Sequence, residues 1–462
     1  FGDFHFPSFP DVPKDMTPDT LLEEQAWKGL KERYGDPLPD EVVIRAKHEL
    51  GVVKRMGFQE YFLVVGDLVR WAKDNGIRVG FGRGSAAGSI LSYALKITNL
   101  DPIRFGLIFE RFLVEGRKTM PDIDLDFDDR YRERVIQYAR DKYGEDHVAQ
   151  ICNFFTVGAK AAIKDAARVL GHDFTAGDKI SKLVPPPVLG VSKTLEESLQ
   201  APELKRLYET DEEAREIIDA ARGLEGVVRQ TGVHAAGVII SPGPLTDYIP
   251  IMRRGDGQPL VSQWDMIKTE MVGMLKVDFL ALRNLGVIDM AVDSIYKRHG
   301  VEVDVDNIDL DDQDVFDSIA NGDTVGCFQI ESSGMQDMVA SVRPRSVEDI
   351  MAIISLYRPG PMGSGMDKMF VNRKHGRESV RYATPILEDV LDGSYGVMLY
   401  QEDVLNTTRA ITGWNASEAD DLRKVMGKKL MDKVGQYRAK FVADAESFSG
   451  IDRDVANKIY SD

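Results

Sequence analysis

An alternating acidic strand is the feature that most constrains how this chain can fold. Residues 121–127, of sequence PDIDLDF, alternate between apolar and acidic side chains. Because successive side chains of a strand point to opposite faces, Asp122, Asp124 and Asp126 share one face. Carboxylates this close raise one another's pKa unless a cation neutralises them, and Mg²⁺ is usually held by one or two carboxylates with substrate phosphates. The segment therefore indicates phosphoryl transfer. The alternative is an exposed edge strand whose charges prevent aggregation with other strands.

A glycine-rich loop is the second feature that indicates phosphate binding. Residues 80–89 follow a predicted strand and precede a predicted helix, and Arg83 adds a cation. Glycine lets the backbone approach an anion closely, and the N–H groups at a helix N-terminus favour negative charge. No Gly-Lys-Ser/Thr follows, so the loop is not a Walker A motif, whereas Gly82, Gly84 and Ala87 match the dinucleotide pattern G-x-G-x-x-A. A dinucleotide-dependent oxidoreductase and a tight turn without a ligand therefore stay open as alternatives.

A second predicted strand presents a carboxylate far downstream. In residues 274–280, Lys276 and Asp278 point the same way, while the apolar residues between and beside them face a core. Two-metal phosphoryl transfer needs carboxylates from separate strands around ions about 3.5–4 Å apart, and a cation near the triphosphate. The segment therefore predicts convergence with the first acidic strand, and a plain salt bridge between Lys276 and Asp278 is the alternative.

Composition narrows the class of protein. With 462 residues the chain should form about three domains, and 43% hydrophobic residues can fill their cores. A net charge of −17 argues against a wholly basic nucleic-acid coat protein. The distant Cys152 and Cys327 form no metal-ligand pair and fit a reducing cytosol, and the seven histidines lack metal-site spacing. Since no apolar run could span a bilayer and no signal peptide is recognisable, we expect a cytoplasmic protein.

Periodic apolar positions predict helices on both sides of the glycine loop. They cover residues 19–34, 40–55 and 61–75, and a short strand at 77–79 and a helix at 90–97 flank the loop itself. Strand, glycine loop and helix follow one another in the order that phosphate-binding folds use.

An alanine-rich segment at 157–170 predicts a helix with a basic face. Lys160, Lys164 and Arg168 are spaced four residues apart and therefore lie along one stripe. Such a stripe could follow a DNA backbone or could be an ordinary solvated face, and the sequence alone favours neither.

The order and spacing of these motifs resemble those of a known family. The segments GRGS at 82–85, FERFL at 109–113 and PDIDLDF at 121–127 resemble the palm of C-family replicative DNA polymerases, the alpha subunits of bacterial DNA polymerase III. Further segments with this resemblance are QTGVHAAG at 230–237, KVDFL at 276–280, FQIES at 328–332, YRPGP at 357–361, YQE at 400–402 and LRKVMGKK at 422–429. Each motif alone is modest, but their combination in order is highly specific.

The resemblance implies an α+β fold with a polymerase β-like nucleotidyltransferase palm, which contains a mixed sheet. A helical thumb is inserted into the palm, and mostly helical fingers follow. The implied boundaries are 1–153 for the first part of the palm with an N-terminal arm, 154–231 for the thumb, 232–283 for the second part of the palm and 284–462 for truncated fingers.

The resemblance also implies roles for individual residues. Asp122, Asp124 and Asp278 match the catalytic carboxylates that hold two Mg²⁺ ions, whereas Asp126 matches no ligand. The positions that match triphosphate-binding residues are Gly84, Ser85, Arg111, Lys276, Arg423 and Lys424. Lys424 stands where the family often has arginine, so it would keep the charge without the bidentate geometry. Candidate DNA contacts are Lys160, Lys164, Arg168 and Arg358.

The function implied by the resemblance is template-directed DNA synthesis, by nucleotidyl transfer from a dNTP to a primer 3′-hydroxyl. The implied partners are primer-template DNA, dNTPs and other replicase subunits such as the sliding clamp and clamp loader, in a cytoplasmic protein associated with the nucleoid and without a membrane partner. We expect the family's PHP, clamp-binding, OB-fold and tail regions to lie outside this chain. A noncatalytic DNA-binding fragment is therefore an alternative function.

Overall fold

A computed structural model gives the structure of residues 4–115, 120–187, 192–255, 257–427 and 431–461. The chain divides into two compact units, each made of two stretches of sequence. The first unit comprises Phe1–Pro7 and Ala139–Lys276, and the second comprises Ser8–Tyr138 and Val277–Asp462. Among the helices of the described ranges, none combines the length and apolar character that crossing a bilayer requires.

Three helices near the start of the second unit confirm the prediction from apolar periodicity. They are α1 (Pro18–Tyr34), α2 (Asp40–Met56) and α3 (Gln59–Asp74). Thr17 forms a capping box with Thr20 at the start of α1, which gives acceptors to N–H groups that lack a partner within the helix. Gly57 and Gly76 follow α2 and α3 with φ of 74° and 68°, a left-handed conformation that glycine adopts without steric cost.

The glycine loop contains a 3-10 helix at Gly84–Gly88, and α4 (Ile90–Ala94) follows it. The helix predicted at 90–97 is therefore shorter than expected. It ends at Ala94, and two residues later the left-handed φ of 60° at Lys96 prevents a right-handed helix from continuing to Ile97.

The prediction of a strand at 77–79 is wrong. An isolated antiparallel bridge joins Val79 to Phe127, and the N–H of Gly80 donates to the carbonyl oxygen of Asp126 at 2.8 Å. The segment thus touches the acidic strand without forming a ladder. A dinucleotide-binding fold places a full strand before its glycine loop, so the structure of residues 77–80 does not support that alternative.

The acidic strand β1 spans Asp124–Asp128, and α5 (Arg132–Tyr143) follows it. β1 begins later than the predicted strand and leaves Asp122 just before it. The side chains of Leu125 and Phe127 are buried, which confirms the predicted apolar face.

The first unit contains a mixed sheet, as predicted. Its strands are β2 (Val148–Thr156), β3 (Val228–Ile240), β4 (Ile251–Arg253) and β5 (Leu260–Ser262), and α11 (Met266–Met271) follows them. β2 pairs antiparallel with β3 and parallel with β5, which pairs antiparallel with β4. Buried Ile151 and Ile239 belong to the core beside this sheet.

Among the described residues between β2 and β3, five segments form helices. They are α6 (Ala159–Val169), α7 (Phe174–Lys182), α8 (Leu195–Ser198), α9 (Pro202–Thr210) and α10 (Glu212–Arg222). These helices share their own apolar core, in which Ile163, Ile217 and Ile218 are fully buried. We call residues 157–227 the helical insertion.

The second unit continues with β6 (Leu275–Leu282), a strand that begins at the end of the first unit and pairs in parallel with β1. Among the described residues after Leu282 there is no further strand. The helices there are α12 (Arg283–His299), α13 (Gln313–Ala320), α14 (Ser333–Val342), α15 (Val347–Leu356), α16 (Pro359–Ser364), α17 (Met366–Lys374), α18 (Glu388–Leu391), α19 (Gln401–Thr412), α20 (Ala416–Gly427), α21 (Met431–Ser449) and α22 (Arg453–Ser461).

Candidate active site

Three carboxylates come together on the parallel pair β1 and β6. Asp124 lies directly opposite Asp278 in the register of the two strands, and Asp122 precedes β1. One carboxylate oxygen from each of the three residues lies within 4.8 Å of the others. The sequence predicts that the acidic side chains of two separate strands converge, and the structure brings these side chains together.

The electrostatics of this cluster favour a bound cation. Burial, followed by the charge of Asp122, raises the pKa of the Asp124 carboxyl, and Asp278 adds to the effect. Arg83 opposes the shift, because its Nε lies 3.6 Å from Oδ2 of Asp124. A donor set made only of carboxylate oxygens suits hard divalent cations rather than zinc or copper. The three carboxylates could therefore hold a metal ion.

Asp126 shares the acidic face of β1 but lies outside this cluster of three carboxylates. Its Oδ1 lies 3.6 Å from Nη1 of Arg83, and burial raises its pKa while Arg83 lowers it. A Cβ added to Gly80 would lie 2.9 Å from the Cβ of Asp126. Asp126 is thus packed between Arg83 and the backbone of the preceding segment.

Tyr61 supports the backbone between the first two carboxylates. It is fully buried on α3, and its hydroxyl oxygen accepts the N–H of Ile123 at 2.9 Å. Burial, with the nearby charge of Asp122, raises the Tyr61 pKa well above its usual value, so the hydroxyl stays protonated. Nothing in the sequence indicates this role, because Tyr61 is one of many apolar positions in the helix predicted at 61–75.

The glycine loop approaches the carboxylates closely. Gly84 has a φ of 66°, and a Cβ added there would lie 3.5 Å from Oδ2 of Asp124. Gly82 has a φ of 105°, and an added Cβ would lie 2.6 Å from the Cγ2 of Thr98. The positive φ at both positions favours glycine, and at Gly82 an added Cβ would also clash with Thr98.

A cavity of about 280 Å³ adjoins the loop. It is lined by Gly84, Ser85 and Arg111, for which the family resemblance implies triphosphate binding, together with Met351 and Glu402. Arg111 and Glu402 form an ion pair in which both side chains are mostly buried. Glu402 belongs to the YQE segment at 400–402 that carries the family resemblance, but its pairing with Arg111 is not predictable, because nothing in the sequence relates it to an arginine so far upstream.

Arg423 and Lys424, the two basic residues predicted to bind triphosphate from the fingers, both form ion pairs with one buried aspartate. Asp420 is fully buried on α20, and it lies 2.7 Å from Nη2 of Arg423 and 3.0 Å from Nζ of Lys424. Arg423 also donates to Oε1 of Gln401 at 3.0 Å, and α20 packs against the 3-10 helix that carries Arg111. The spacing of Asp420 three and four residues before the two cations could have revealed the contact. The last residues of this motif, Lys428 and Lys429, lie outside the described residues.

Lys276 is buried on β6, two residues before Asp278. Its Nζ lies 3.6 Å from Oε1 of Glu270. Strand alternation places Lys276 on the same face of β6 as Asp278.

The predicted DNA contacts lie at the surface. Lys160, Lys164 and Arg168 all lie on exposed positions of α6. Lys164 is paired with Asp178 at 2.9 Å, and Arg168 is paired with Asp165 at 3.2 Å. The stripe predicted from the spacing is therefore present but partly neutralised. Arg358 is exposed at the N-cap of α16.

Comparison with known proteins gives a consistent result along the chain. The family model described as "Bacterial DNA polymerase III alpha NTPase domain" matches residues 20–281. The model described as "Bacterial DNA polymerase III alpha subunit finger domain" matches residues 284–448.

Three similar curated proteins carry the name DNA polymerase III subunit alpha. The protein of Thermus aquaticus is 45% identical over 452 residues, which cover 95% of this chain and 37% of that protein. The Escherichia coli K12 protein is 42% identical over 99% of this chain and 41% of its own length, and the Aquifex aeolicus protein is 40% identical over 98% and 41%. The chain therefore spans about two fifths of the length of these relatives. It belongs to the family of bacterial DNA polymerase III alpha subunits.

Proposed function

We propose that this chain carries the catalytic region for template-directed DNA synthesis, in which a primer 3′-hydroxyl attacks the α-phosphate of a dNTP and pyrophosphate leaves. The observation that carries the proposal is the cluster of Asp122, Asp124 and Asp278, in which one carboxylate oxygen of each residue lies within 4.8 Å of those of the other two. Phosphoryl transfer depends mainly on positioning and charge stabilisation, which such a cluster beside a phosphate-binding loop supports.

The same three carboxylates would hold two Mg²⁺ ions. Their all-oxygen donor set fits that cation, and the raised pKa of Asp124 reflects a site in which negative charge is unfavourable without one. When bound, the ions would supply Lewis-acid chemistry, which lowers the pKa of the primer hydroxyl and stabilises the leaving pyrophosphate. Arg83 would keep the acidic strand in place as the charge of the cluster changes.

Backbone and basic side chains would bind the triphosphate. Gly84, Ser85 and Arg111 line one cavity, which supports their joint role. The resemblance to the family adds Lys276 on β6 and the α20 cations Arg423 and Lys424. Arg111 would exchange Glu402 for the more highly charged triphosphate, because a phosphate offers a stronger acceptor for a guanidinium.

The proposed domain organisation follows the family: palm at 1–153 and 232–283, thumb at 154–231 and fingers at 284–462. The separate core of the helical insertion supports a thumb between β2 and β3. Primer-template DNA would contact Lys160, Lys164, Arg168 and Arg358 through its phosphates, which bind without reading sequence. Replicase subunits such as the clamp and clamp loader, and a cytoplasmic location at the nucleoid, are proposed from the family alone.

The test is extension of a primed template in Mg²⁺ by the wild-type chain and by Asp124→Asn, with DNA affinity measured separately. Asp124→Asn should lose about 10³-fold or more in rate while binding primer-template nearly as well. Asp126→Asn is the matched control from the same strand face and should remain active. Equal activity of Asp124→Asn and wild type would overturn the carboxylate assignment. Tight DNA binding without extension by the wild type would indicate a noncatalytic DNA-binding fragment instead.

A further inference from the structure

A buried carboxylate on α2 holds the start of α4, the helix that follows the glycine loop. Glu49 is 0% exposed. Its Oε1 accepts the N–H of Ile90 at 3.0 Å, and its Oε2 accepts the N–H of Leu91 at 3.2 Å and the hydroxyl of Ser89 at 2.8 Å. The first N–H groups of a helix have no acceptor within it. Glu49 therefore fixes the point at which the glycine loop enters α4.

Arg45 lies one turn earlier on α2 and joins the same cluster. Its Nε donates to Oε1 of Glu49 at 2.7 Å. Its Nη2 donates to the carbonyl oxygens of Gly88 at 2.7 Å and Leu107 at 3.1 Å. The guanidinium supplies the counter-charge that a buried carboxylate requires. It also bridges two chain segments that are distant in sequence.

The two bridged segments lead directly to the proposed triphosphate ligands. Gly88 ends the 3-10 helix that begins at Gly84, and the second segment continues into the 3-10 helix Phe109–Arg111. The segments also touch, because a Cβ added to Gly88 would lie 2.7 Å from the carbonyl oxygen of Ile108. Their separation is thus set by close packing and by the hydrogen bonds of Arg45.

We propose that Arg45 and Glu49 are positioning residues for the incoming nucleotide. They hold the glycine loop and Arg111 at a fixed separation. The groups that would bind a deoxynucleoside triphosphate are therefore in position before it arrives: the N–H groups of the loop, Ser85 and the Arg111 guanidinium. Holding ligands in their bound geometry removes the entropy cost of assembling them during binding. This proposal rests on the proposed function, and it assigns to α2 a role in nucleotide affinity.

The test begins with Glu49→Gln, which keeps the size of the side chain but replaces one acceptor oxygen with an amide nitrogen. We expect faster amide hydrogen exchange in residues 84–95, because the remaining oxygen cannot accept both the Ile90 and the Leu91 amides in the way that the two carboxylate oxygens do. In primer extension, the KM for dNTP should rise about tenfold or more, the loss expected for hydrogen bonds to a charged group, whereas kcat at saturating nucleotide should change much less.

A double variant separates positioning from general stability. Arg45→Gln with Glu49→Gln removes both charges, so no buried charge is left without a partner and thermal stability should recover. The KM should stay high, because the guanidinium that bridges the two segments and the carboxylate that holds the start of α4 are both gone. Recovery of KM together with Tm would overturn the proposal. The control is Glu225→Gln, which removes a carboxylate that accepts the N–H of Leu195 at 2.8 Å in the helical insertion and should leave KM unchanged.

The outcomes distinguish this proposal from the proposed function. If the wild-type protein neither extends primers nor binds dNTP, the proposed function fails, and the positioning proposal fails with it. If the wild type extends primers but Glu49→Gln leaves both the KM and the exchange of residues 84–95 unchanged, only the positioning proposal fails.

Discussion

Two acids hold the basic side chains of the proposed nucleotide site, and their burial gives them different roles. Glu402 pairs with Arg111 at the wall of the cavity and keeps part of its surface exposed. Asp420 is fully buried beneath Arg423 and Lys424. A triphosphate that takes the place of Glu402 on Arg111 gives the guanidinium a stronger acceptor, and Glu402 keeps some contact with the cavity, whereas uncovering Asp420 would leave a fully buried charge without its partners. We therefore expect Glu402 to compete with a triphosphate and Asp420 to stay in place and orient its cations.

Replacing the competing acid should strengthen nucleotide binding. Glu402→Gln removes the charge that holds Arg111, so the KM for dNTP should fall about two- to tenfold, the range that corresponds to about 0.5–1.5 kcal/mol. Steady-state primer extension measures it. Glu115→Gln is the control, because Glu115 also pairs with an arginine, Arg55, but both side chains are largely exposed. A higher KM for Glu402→Gln would show that Glu402 assists nucleotide binding instead.

The sequence predicts those site residues whose side chains recur at short spacing. It does not predict the residues whose partners are distant along the chain. Asp122, Asp124 and Asp278 stand out because alternation on a strand places acids on one face, and the structure brings them together. Glu402 and Glu49 carry no such pattern, since each meets its partners only after distant segments pack. Glu49 also looks like an ordinary helix surface residue, although it is fully buried.

Helix and strand boundaries show the same division between local and distant interactions. The limits of α1, α2 and α3 were predictable, because apolar periodicity and following glycines act locally. The strand predicted at 77–79 failed, because an apolar run of that length becomes a strand only if a neighbour pairs along it. Here the pairing is an isolated bridge between Val79 and Phe127.

The start of α19 provides a test of how a buried cap responds to pH. Oδ2 of Asp403 accepts the N–H groups of Leu399 and Tyr400 at 2.8 Å each. Burial raises the pKa of Asp403 to about 6, although these two hydrogen bonds oppose the shift. The native state therefore holds a proton that the unfolded state releases between about pH 4 and pH 6, so this group's contribution to stability falls as pH rises through that window.

Asp403→Asn should remove this loss of stability with rising pH. The amide oxygen can still accept both N–H groups and carries no charge. Relative to wild type, the variant should gain about 1–2 kcal/mol in the free energy of unfolding between pH 5 and pH 7.5. Urea unfolding at the two pH values measures it. Asp389→Asn, an exposed acid in the first turn of α18, is the control for loss of a carboxylate. A variant whose stability difference from wild type does not change with pH would contradict the assignment.

The division into two compact units could not be predicted from local sequence patterns. Each unit joins two stretches that are far apart in sequence. The helical insertion has a core of its own, formed from residues between β2 and β3. Its stability should therefore depend on contacts within the insertion, whereas the acidic cluster depends on the pairing of β1 with β6.

Opening a cavity in the insertion should test this independence. Ile217 is fully buried in α10, so Ile217→Ala should lower the stability of the insertion by about 2–5 kcal/mol through lost burial and the cavity left behind. Hydrogen exchange should increase within 157–227 while β1 keeps its protection, and primer-template affinity should fall more than nucleotide affinity. Ile267→Ala is the control, because Ile267 is 65% exposed and its loss should change stability by less than about 0.5 kcal/mol. Equal loss of protection in β1 would mean that the insertion unfolds only together with the strand that carries Asp124.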